Sequence, residues 1–118
     1  MGRTKAAQNC KIRPWLSAKP DCREGRFLLV GNSLLLSPKF HDLSPGAKIL
    51  YFCACQESGG RNEFTFPART MKKYGIKERS GRRYLQELIE HDFIRCACSG
   101  KNLRTDSEYA FTLQWKEV

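Results

Sequence analysis

The sequence contains no run of about 18 apolar residues, the length that a helix needs to cross a bilayer. The first residues, MGRTKAAQNCKIRPW, also lack the apolar core of a secretory signal peptide. Position 6 is Ala6, where the N-myristoylation pattern has Ser or Thr. We therefore expect a cytoplasmic protein that has no membrane partner.

The sequence is equally poor in patterns that support catalysis. It has no glycine-rich phosphate-binding loop and no serine nucleophile elbow. Its two histidines, His41 and His91, are far apart, and no motif joins either of them to a nucleophile. His91 beside Asp92 is more typical of a cap interaction at a helix C-terminus. We predict that the protein is not an enzyme, uses no cofactor and has no small-molecule substrate.

The six cysteines form no CxxC pair, the spacing typical of a zinc knuckle. Cys96 and Cys98 would share a face of a strand, and Cys10 and Cys22 could complete a thiolate set. Cys53 and Cys55, by contrast, would point about 200° apart on a helix. Reduced cysteines that act as small apolar residues are the better interpretation, so we predict no metal site.

Acidic residues are scarce relative to basic ones. The chain has 21 Lys and Arg against 12 Asp and Glu, a net charge of +9, which indicates a polyanionic partner such as nucleic acid. Residues 1–26 hold seven basic and two acidic residues with no sustained apolar period, and they predict a flexible basic N-terminal arm. At 118 residues the chain has room for one domain, which we place at residues 27–118.

The first part of this domain carries clear helix signals. FLLVGNSLLL, residues 27–36, predicts a short strand followed by a helical turn. Ser44 as N-cap and Pro45 at the first helical position predict the start of a largely buried helix, with Ile49 among its buried residues. Gly59 with the following glycine predicts its end.

The second part alternates strands and helices. EFTFP at 63–67 predicts a very short strand, and 68–76 predicts a short helix with Met71 and Tyr74 inward. A glycine-containing turn joins it to a helix at 77–90. FIRCACS and EYAFTLQW predict a hairpin with its tip at 99–107, and in its second strand Tyr109, Phe111 and Leu113 share one apolar face. This order predicts an α+β winged helix-turn-helix, a three-helix core with a short strand and a C-terminal β-hairpin wing.

The helix at 77–90 has its charges reversed relative to the helix dipole, because its first half is basic and its second half acidic. Basic residues at the start are explained if the balancing anion is external, as phosphate is when this helix enters the major groove of DNA. With Leu85 set to zero at about 100° per residue, Leu88 and Gly81 fall on the inner face and Arg79 on the outer one. The acidic second half would then either face away from the phosphates or pair with Arg82 and Arg83, with Arg83 and Glu87 at i to i+4 spacing.

The residues predicted to contact DNA are Lys77, Arg79, Ser80, Arg82, Arg83, Gln86, Lys101, Asn102 and Arg104. Arg79 and Arg83 are candidate base readers, because an arginine can bridge the O6 and N7 atoms of guanine. Lys101 and its neighbours at the wing tip would contact the backbone or the minor groove. Trp15 is a candidate for stacking on single strands, as are Trp115 and Tyr109, although Tyr109 fits the apolar alternation better.

The segments FLLVGNSLLLSPKFHDLSPGAKILY, NEFTFP, KKYGI, LQELIEHDFI and SEYAFTLQW resemble the N-terminal winged-helix domain of plasmid replication initiators from Gram-positive bacteria. They are also similar to small helix-turn-helix proteins of conjugative elements and phages. The resemblance implies a DNA-binding fold. The chain departs from it at Lys77, where the family tends to have a capping serine, at Gly81, where it has a bulky apolar residue, and at Asp92, where glycine is common.

The sequence thus predicts specific binding to double-stranded DNA, by a regulator or by a replication-initiator-like protein of a mobile element. A winged-helix module that binds another protein stays open as the alternative, and RNA binding by charge alone is a third. A homodimer also stays open, since winged helices often bind two half-sites but no heptad pattern indicates a dimer interface.

Overall fold

In the computed structural model, which describes residues 10–98 and 106–116, the chain forms an α+β fold. The α-helices in these ranges are α1 Asn32–Leu35, α2 Pro38–His41, α3 Pro45–Ser58, α4 Ala68–Lys73 and α5 Glu78–Glu90. The strands are β1 Cys10–Lys11, β2 Arg23–Glu24, β3 Glu63–Thr65, β4 Ile94–Cys98 and β5 Glu108–Phe111. Short 3-10 helices occupy Pro14–Leu16 and Gln114–Lys116.

Strands β3, β5 and β4 form an antiparallel sheet in that order. Phe64 lies opposite Tyr109 across β3 and β5, and Ile94 lies opposite Phe111 across β4 and β5. The pairing of β4 with β5 confirms the predicted hairpin strands, and β3 confirms the predicted short strand. The tip expected at 99–107 lies mostly outside the described residues.

Helix α3 begins and ends where its local signals predict. The hydroxyl of Ser44 accepts a hydrogen bond from the Ala47 backbone N–H at 3.3 Å, and Pro45 takes the first helical position. Gly59 ends the helix with a φ of 63°, in the left-handed region that glycine enters without a steric penalty. The prediction of this helix is therefore confirmed at both ends.

Helices α4 and α5 are joined by a short turn in which Gly75 has a φ of 74°. Met71 on α4 is buried, as predicted, and Tyr74 is partly buried. The backbone at Gly81 of α5 lies so close to Met71 that a Cβ there would be 2.4 Å from the Met71 sulfur. Glycine at this position thus permits the close contact between α4 and α5.

The core lies between α3, α5 and the sheet. Its most completely buried large side chains are Phe93, Leu50, Leu88 and Ile94. The predicted inner face of α5 is confirmed, because Gly81 and Leu85 are buried together with Leu88. Phe93 also stacks on Trp115, with ring centroids 5.1 Å apart. The sheet and the core together hold α5 with its opposite face outward.

Three sequence predictions differ from the structure. Residues 27–30 form no strand, because they pair with no strand in the described ranges, although the helical turn after them is present as α1. Ile49 is 55% exposed, since the buried positions of α3 follow Ala47, Leu50 and Ala54 and leave Ile49 on the outer face. Leu113 is exposed as well, because β5 ends at Phe111.

Part of the segment expected to be a flexible arm has regular structure. In residues 10–26, β1 pairs antiparallel with β2, and the 3-10 helix lies between them. The sequence shows neither a helical nor a strand period of apolar residues here, because each strand has only two residues. In the part of the chain that the structure describes, no helix is both long and apolar enough to span a bilayer.

Candidate functional site

Four of the predicted contact residues lie exposed on one face of α5. They are Arg79, Arg82, Arg83 and Gln86. Ser80 lies on another side of the helix and is partly buried, and Lys77 is the exposed N-cap residue. Because the opposite face packs into the core, the arginine face is fixed in direction. It offers several planar donors to one partner.

Arg82 already has an anion within its own helix. Its NH2 and Nε atoms lie 2.6 and 3.1 Å from one carboxylate oxygen of Glu78, one turn earlier. Burial raises the pKa of Tyr109 on β5, and the positive charge of Arg82 acts in the opposite direction.

Arg83 is supported by an aromatic ring. Its guanidinium carbon lies 5.4 Å from the ring centroid of Tyr84. The Tyr84 ring in turn packs directly on the backbone of Gly46, where a Cβ would lie 2.0 Å from the ring carbon that bears the hydroxyl. The neighbouring Arg79 forms no ion pair or side-chain hydrogen bond with any residue of the described ranges. Arg79 is thus available to an external anion without giving up an internal partner.

Helix α4 carries Arg69, Lys72 and Lys73, and two of them have acidic partners. Arg69 pairs with Asp106 at 2.6 Å, which ties α4 to the residue that precedes β5 by two positions. Lys73 pairs with Glu57 near the end of α3, also at 2.6 Å. Among the described residues Lys72 has no such partner. It is the free cation on this helix within those ranges.

Glu57 has a second donor, the hydroxyl of Tyr74, at 2.7 Å. The hydrogen bonds from Lys73 and Tyr74 lower the pKa of Glu57, because they stabilise its charged form. Burial and the bond to Glu57 raise the pKa of Tyr74 to about 12. This cluster joins the ends of α3 and α4 and so fixes the turn that leads into α5.

The predicted pair between Arg83 and Glu87 is wrong. The Glu87 carboxylate instead accepts hydrogen bonds from the backbone N–H of Ser44 at 2.6 Å and from its hydroxyl at 2.8 Å. The Glu87 carboxylate binds at the N-terminus of α3 because the backbone N–H groups there are partly positive and have no partner within that helix. Arg83, by contrast, is exposed to solvent. This contact spans 43 residues, and no local signal in the sequence shows it.

The end of α5 matches its predicted cap. The ring Nδ1 of His91 donates to the backbone carbonyl of Glu87, with 3.0 Å between the atoms. Asp92 follows with a φ of 66°, a left-handed conformation that accounts for the glycine expected at this turn. The remaining predicted contacts, at Lys101, Asn102 and Arg104, lie outside the described residues.

The cysteines whose side chains the structure describes are spread over the fold. Cys22 is buried, Cys53 and Cys55 are partly buried on α3, and Cys96 is exposed on β4. Burial raises the pKa of Cys55 to about 11, so this thiol is protonated at neutral pH. No group of three or more potential metal ligands comes together within the described part of the chain, which excludes the side chains of Cys10 and Cys98.

No protein-family model, curated protein or solved structure matches this chain. The exposed arginine face of α5 and the contacts around it are therefore the basis for a functional proposal.

Proposed function

We propose that the protein is a winged helix-turn-helix that binds double-stranded DNA sequence-specifically, with α5 in the major groove. The observation that carries the proposal is the exposed face formed by Arg79, Arg82, Arg83 and Gln86, on the side of the helix that faces away from the core. We further propose a role as a small regulator or a replication-initiator-like protein of a mobile element, on the strength of the sequence resemblance.

The order of elements supports this proposal. Helices α4 and α5 are two helices joined by a short glycine-containing turn, the arrangement of a helix-turn-helix. In such a pair the second helix lies in the major groove, and the residues near its N-terminus contact base edges. Strands β4 and β5 follow, so that the loop between them would be the wing.

The arginines divide by how freely they can reach DNA. Arg79, with no partner in the described ranges, is the best candidate for a two-bond contact with guanine. Arg82 must break its ion pair with Glu78 before it can bind a phosphate or a base, so the loss of that pair reduces its contribution to DNA affinity. Arg83 lies over Tyr84, which limits its conformations before binding.

Phosphate contacts would come from residues around this face. Lys72 on α4 and Lys77 at the start of α5 are exposed and lie at the end of α5 that would enter the groove. Lys101, Asn102 and Arg104 remain the proposed contacts from the wing tip.

The acidic second half of α5 is consistent with this orientation. Glu87 points to the start of α3 and is occupied there, and Glu90 accepts a hydrogen bond from Gln86 at 3.3 Å. The carboxylates are thus concentrated toward the end of the helix that leaves the groove. The basic start would face the phosphates, where releasing counterions contributes to affinity.

The test is fluorescence anisotropy of a labelled mixed-sequence duplex with the full chain over a series of salt concentrations. We expect log affinity to fall linearly with log salt. Arg79→Ala and Arg83→Ala should each reduce the slope of log affinity against log salt by about one. Both should also relax the DNA sequence preference found by site selection, whereas Lys101→Ala should weaken binding to all sequences alike. Lys116→Ala is the matched control, because this exposed lysine follows β5 at the end away from the loop 99–105.

Two outcomes would overturn the proposal. Equal losses from the Arg79, Arg83 and Lys116 variants on every sequence would mean that α5 reads no bases. No duplex binding at moderate salt would favour a protein-interaction module, to which the exposed Leu29 and Leu36 could contribute an apolar contact surface. Equal affinity for A-form RNA duplexes would instead indicate binding by charge alone.

A further inference from the structure

The N-terminal segment folds into a hairpin that displays its loop. Strand β1 pairs with β2, and the Ile12 N–H donates to the Cys22 carbonyl at 2.8 Å. The Cys22 N–H donates to the Lys19 carbonyl at 3.1 Å, and the Cys22 side chain is buried. These contacts close the loop at residues 13–21.

This loop exposes two large apolar side chains to solvent. The 3-10 helix Pro14–Leu16 exposes 77% of Trp15 and 67% of Leu16. The other tryptophan, Trp115, is partly buried and stacks on Phe93, so the two have different roles. A fully presented indole offers a large rigid surface to a partner at little cost in side-chain entropy.

The surroundings of Trp15 are basic. Arg13, Lys19 and Arg23 are all exposed in this segment. Its acidic residues serve the hairpin itself, because Glu24 accepts a hydrogen bond from Ser17 and Asp21 accepts one from the backbone N–H of residue 23. Arginine and lysine around an open aromatic face are the combination by which proteins hold a nucleic-acid strand, with cations on phosphates and a ring on a base.

We infer that the hairpin 10–24 is a second nucleic-acid contact, in which Trp15 stacks on an unpaired base while Arg13, Lys19 and Arg23 hold the neighbouring phosphates. The ligand is single-stranded DNA adjoining the duplex on α5, so the inference rests on the proposed function. A single strand fits better than a duplex, because the bases of a duplex are stacked on each other and leave no face open to the indole.

The hairpin is joined to the molecule beside the proposed duplex site. Two residues after β2, Arg26 donates a hydrogen bond to the Gln56 carbonyl near the end of α3. The charge of Arg26 also acts on Glu57, whose carboxylate binds Lys73 at the end of α4. The hairpin therefore joins the domain close to the ends of α3 and α4, next to the turn that precedes α5.

The test compares a labelled twelve-nucleotide oligo-dT, a blunt mixed duplex, and that duplex with the oligo-dT as an overhang. Stacking contributes about 1–3 kcal/mol per base, so Trp15→Ala in the full chain should weaken oligo-dT binding roughly 5- to 150-fold. The salt slope should stay unchanged, because no charge is removed. Trp15→Phe should retain most of the affinity. Leu113→Ala, which removes another exposed apolar side chain, should have no effect.

Binding of the blunt duplex separates the two proposals. If the wild-type chain binds duplex but Trp15→Ala binds oligo-dT as tightly as wild type, the inference is wrong and the proposed function stands. If the wild-type chain binds none of the three DNA probes, both fail.

Tryptophan fluorescence distinguishes DNA from a membrane surface. In a Trp115→Phe background, Trp15 is the sole tryptophan, since the chain has two, and its emission is followed by excitation selective for tryptophan. Quenching by oligo-dT would support the inference. A blue shift with phosphatidylserine vesicles and no response to oligo-dT would overturn it.

Discussion

Glu87 in α5 binds Ser44, the N-cap residue of α3. The Glu87 carboxylate accepts hydrogen bonds from both the backbone N–H and the hydroxyl of Ser44. Ser44 at the same time accepts from the Ala47 N–H, so the N-terminus of α3 is stabilised from its own chain and from across the core. The contact joins the first long helix to the proposed reading helix and helps to set the direction of the arginine face.

Glu87→Ala should lower the free energy of unfolding by about 1.5–3 kcal/mol, because it removes hydrogen bonds to a charged group and an anion at a helix N-terminus. Urea unfolding followed by circular dichroism measures the change. Glu90→Ala is the control, since Glu90 is exposed and Gln86 is its one partner among residues 10–98 and 106–116, and we expect a change within about 0.5 kcal/mol. Similar losses from both variants would show that the bond to Ser44 contributes little.

Local signals explain why much of the fold could be predicted from the sequence. Ser44, Pro45 and Gly59 define α3 through interactions that span at most a few residues. The direction of the arginine face follows likewise from helical periodicity about Leu85. The strand expected at 27–30 failed because a strand needs a partner, and an apolar run does not say whether one exists.

Contacts between distant segments account for what the sequence could not show. The bond from Ser44 to Glu87 and the pair of Arg69 with Asp106 depend on packing that brings residues 43 and 37 positions apart together. The pair of Arg82 with Glu78, by contrast, has i to i+4 spacing and is visible in the sequence.

Gly81→Ala should destabilise the protein by about 1–3 kcal/mol, although alanine is the better helix former by about 1 kcal/mol. The added Cβ would lie 2.4 Å from the sulfur of Met71, and Met71 is buried and has little room to move. Thermal and urea unfolding of Gly81→Ala and of Ser80→Ala measure the effect at neighbouring positions. We expect Ser80→Ala to be neutral or slightly stabilising, and a gain in stability for Gly81→Ala would contradict the packing argument.

Glu78→Gln should strengthen duplex binding, because it frees Arg82 from its internal partner and removes one negative charge near the phosphates. We expect the Kd for a blunt duplex to fall by a few-fold. The difference in affinity between preferred and random sequences should become smaller. Glu63→Gln changes the net charge equally, but at an exposed position of β3 where the carboxylate has no ion pair to an arginine or lysine in the described ranges. If both variants gain equally, net charge alone explains the effect, and the pair with Arg82 has no specific role.

The last prediction concerns acid stability through Tyr74 and Glu57. The bonds from Lys73 and Tyr74 lower the folded-state pKa of Glu57 below its unfolded value. Their contribution is therefore fully present above the ordinary pKa of glutamate, about 4.3, and is lost as the pH falls through the lower folded value.

Tyr74→Phe should accordingly cost about 1 kcal/mol of unfolding free energy at pH 7 and less at pH 3, because the bond loses its charged acceptor as the pH falls through the lowered folded-state pKa of Glu57. Urea unfolding of the wild-type chain and the variant at both pH values gives the two differences. Tyr109→Phe is the control, because its hydroxyl bonds to Ser107, a neutral group, and its cost should be the same at both pH values. A cost for Tyr74→Phe that does not fall with pH would mean that its hydroxyl stabilises the fold independently of the Glu57 charge.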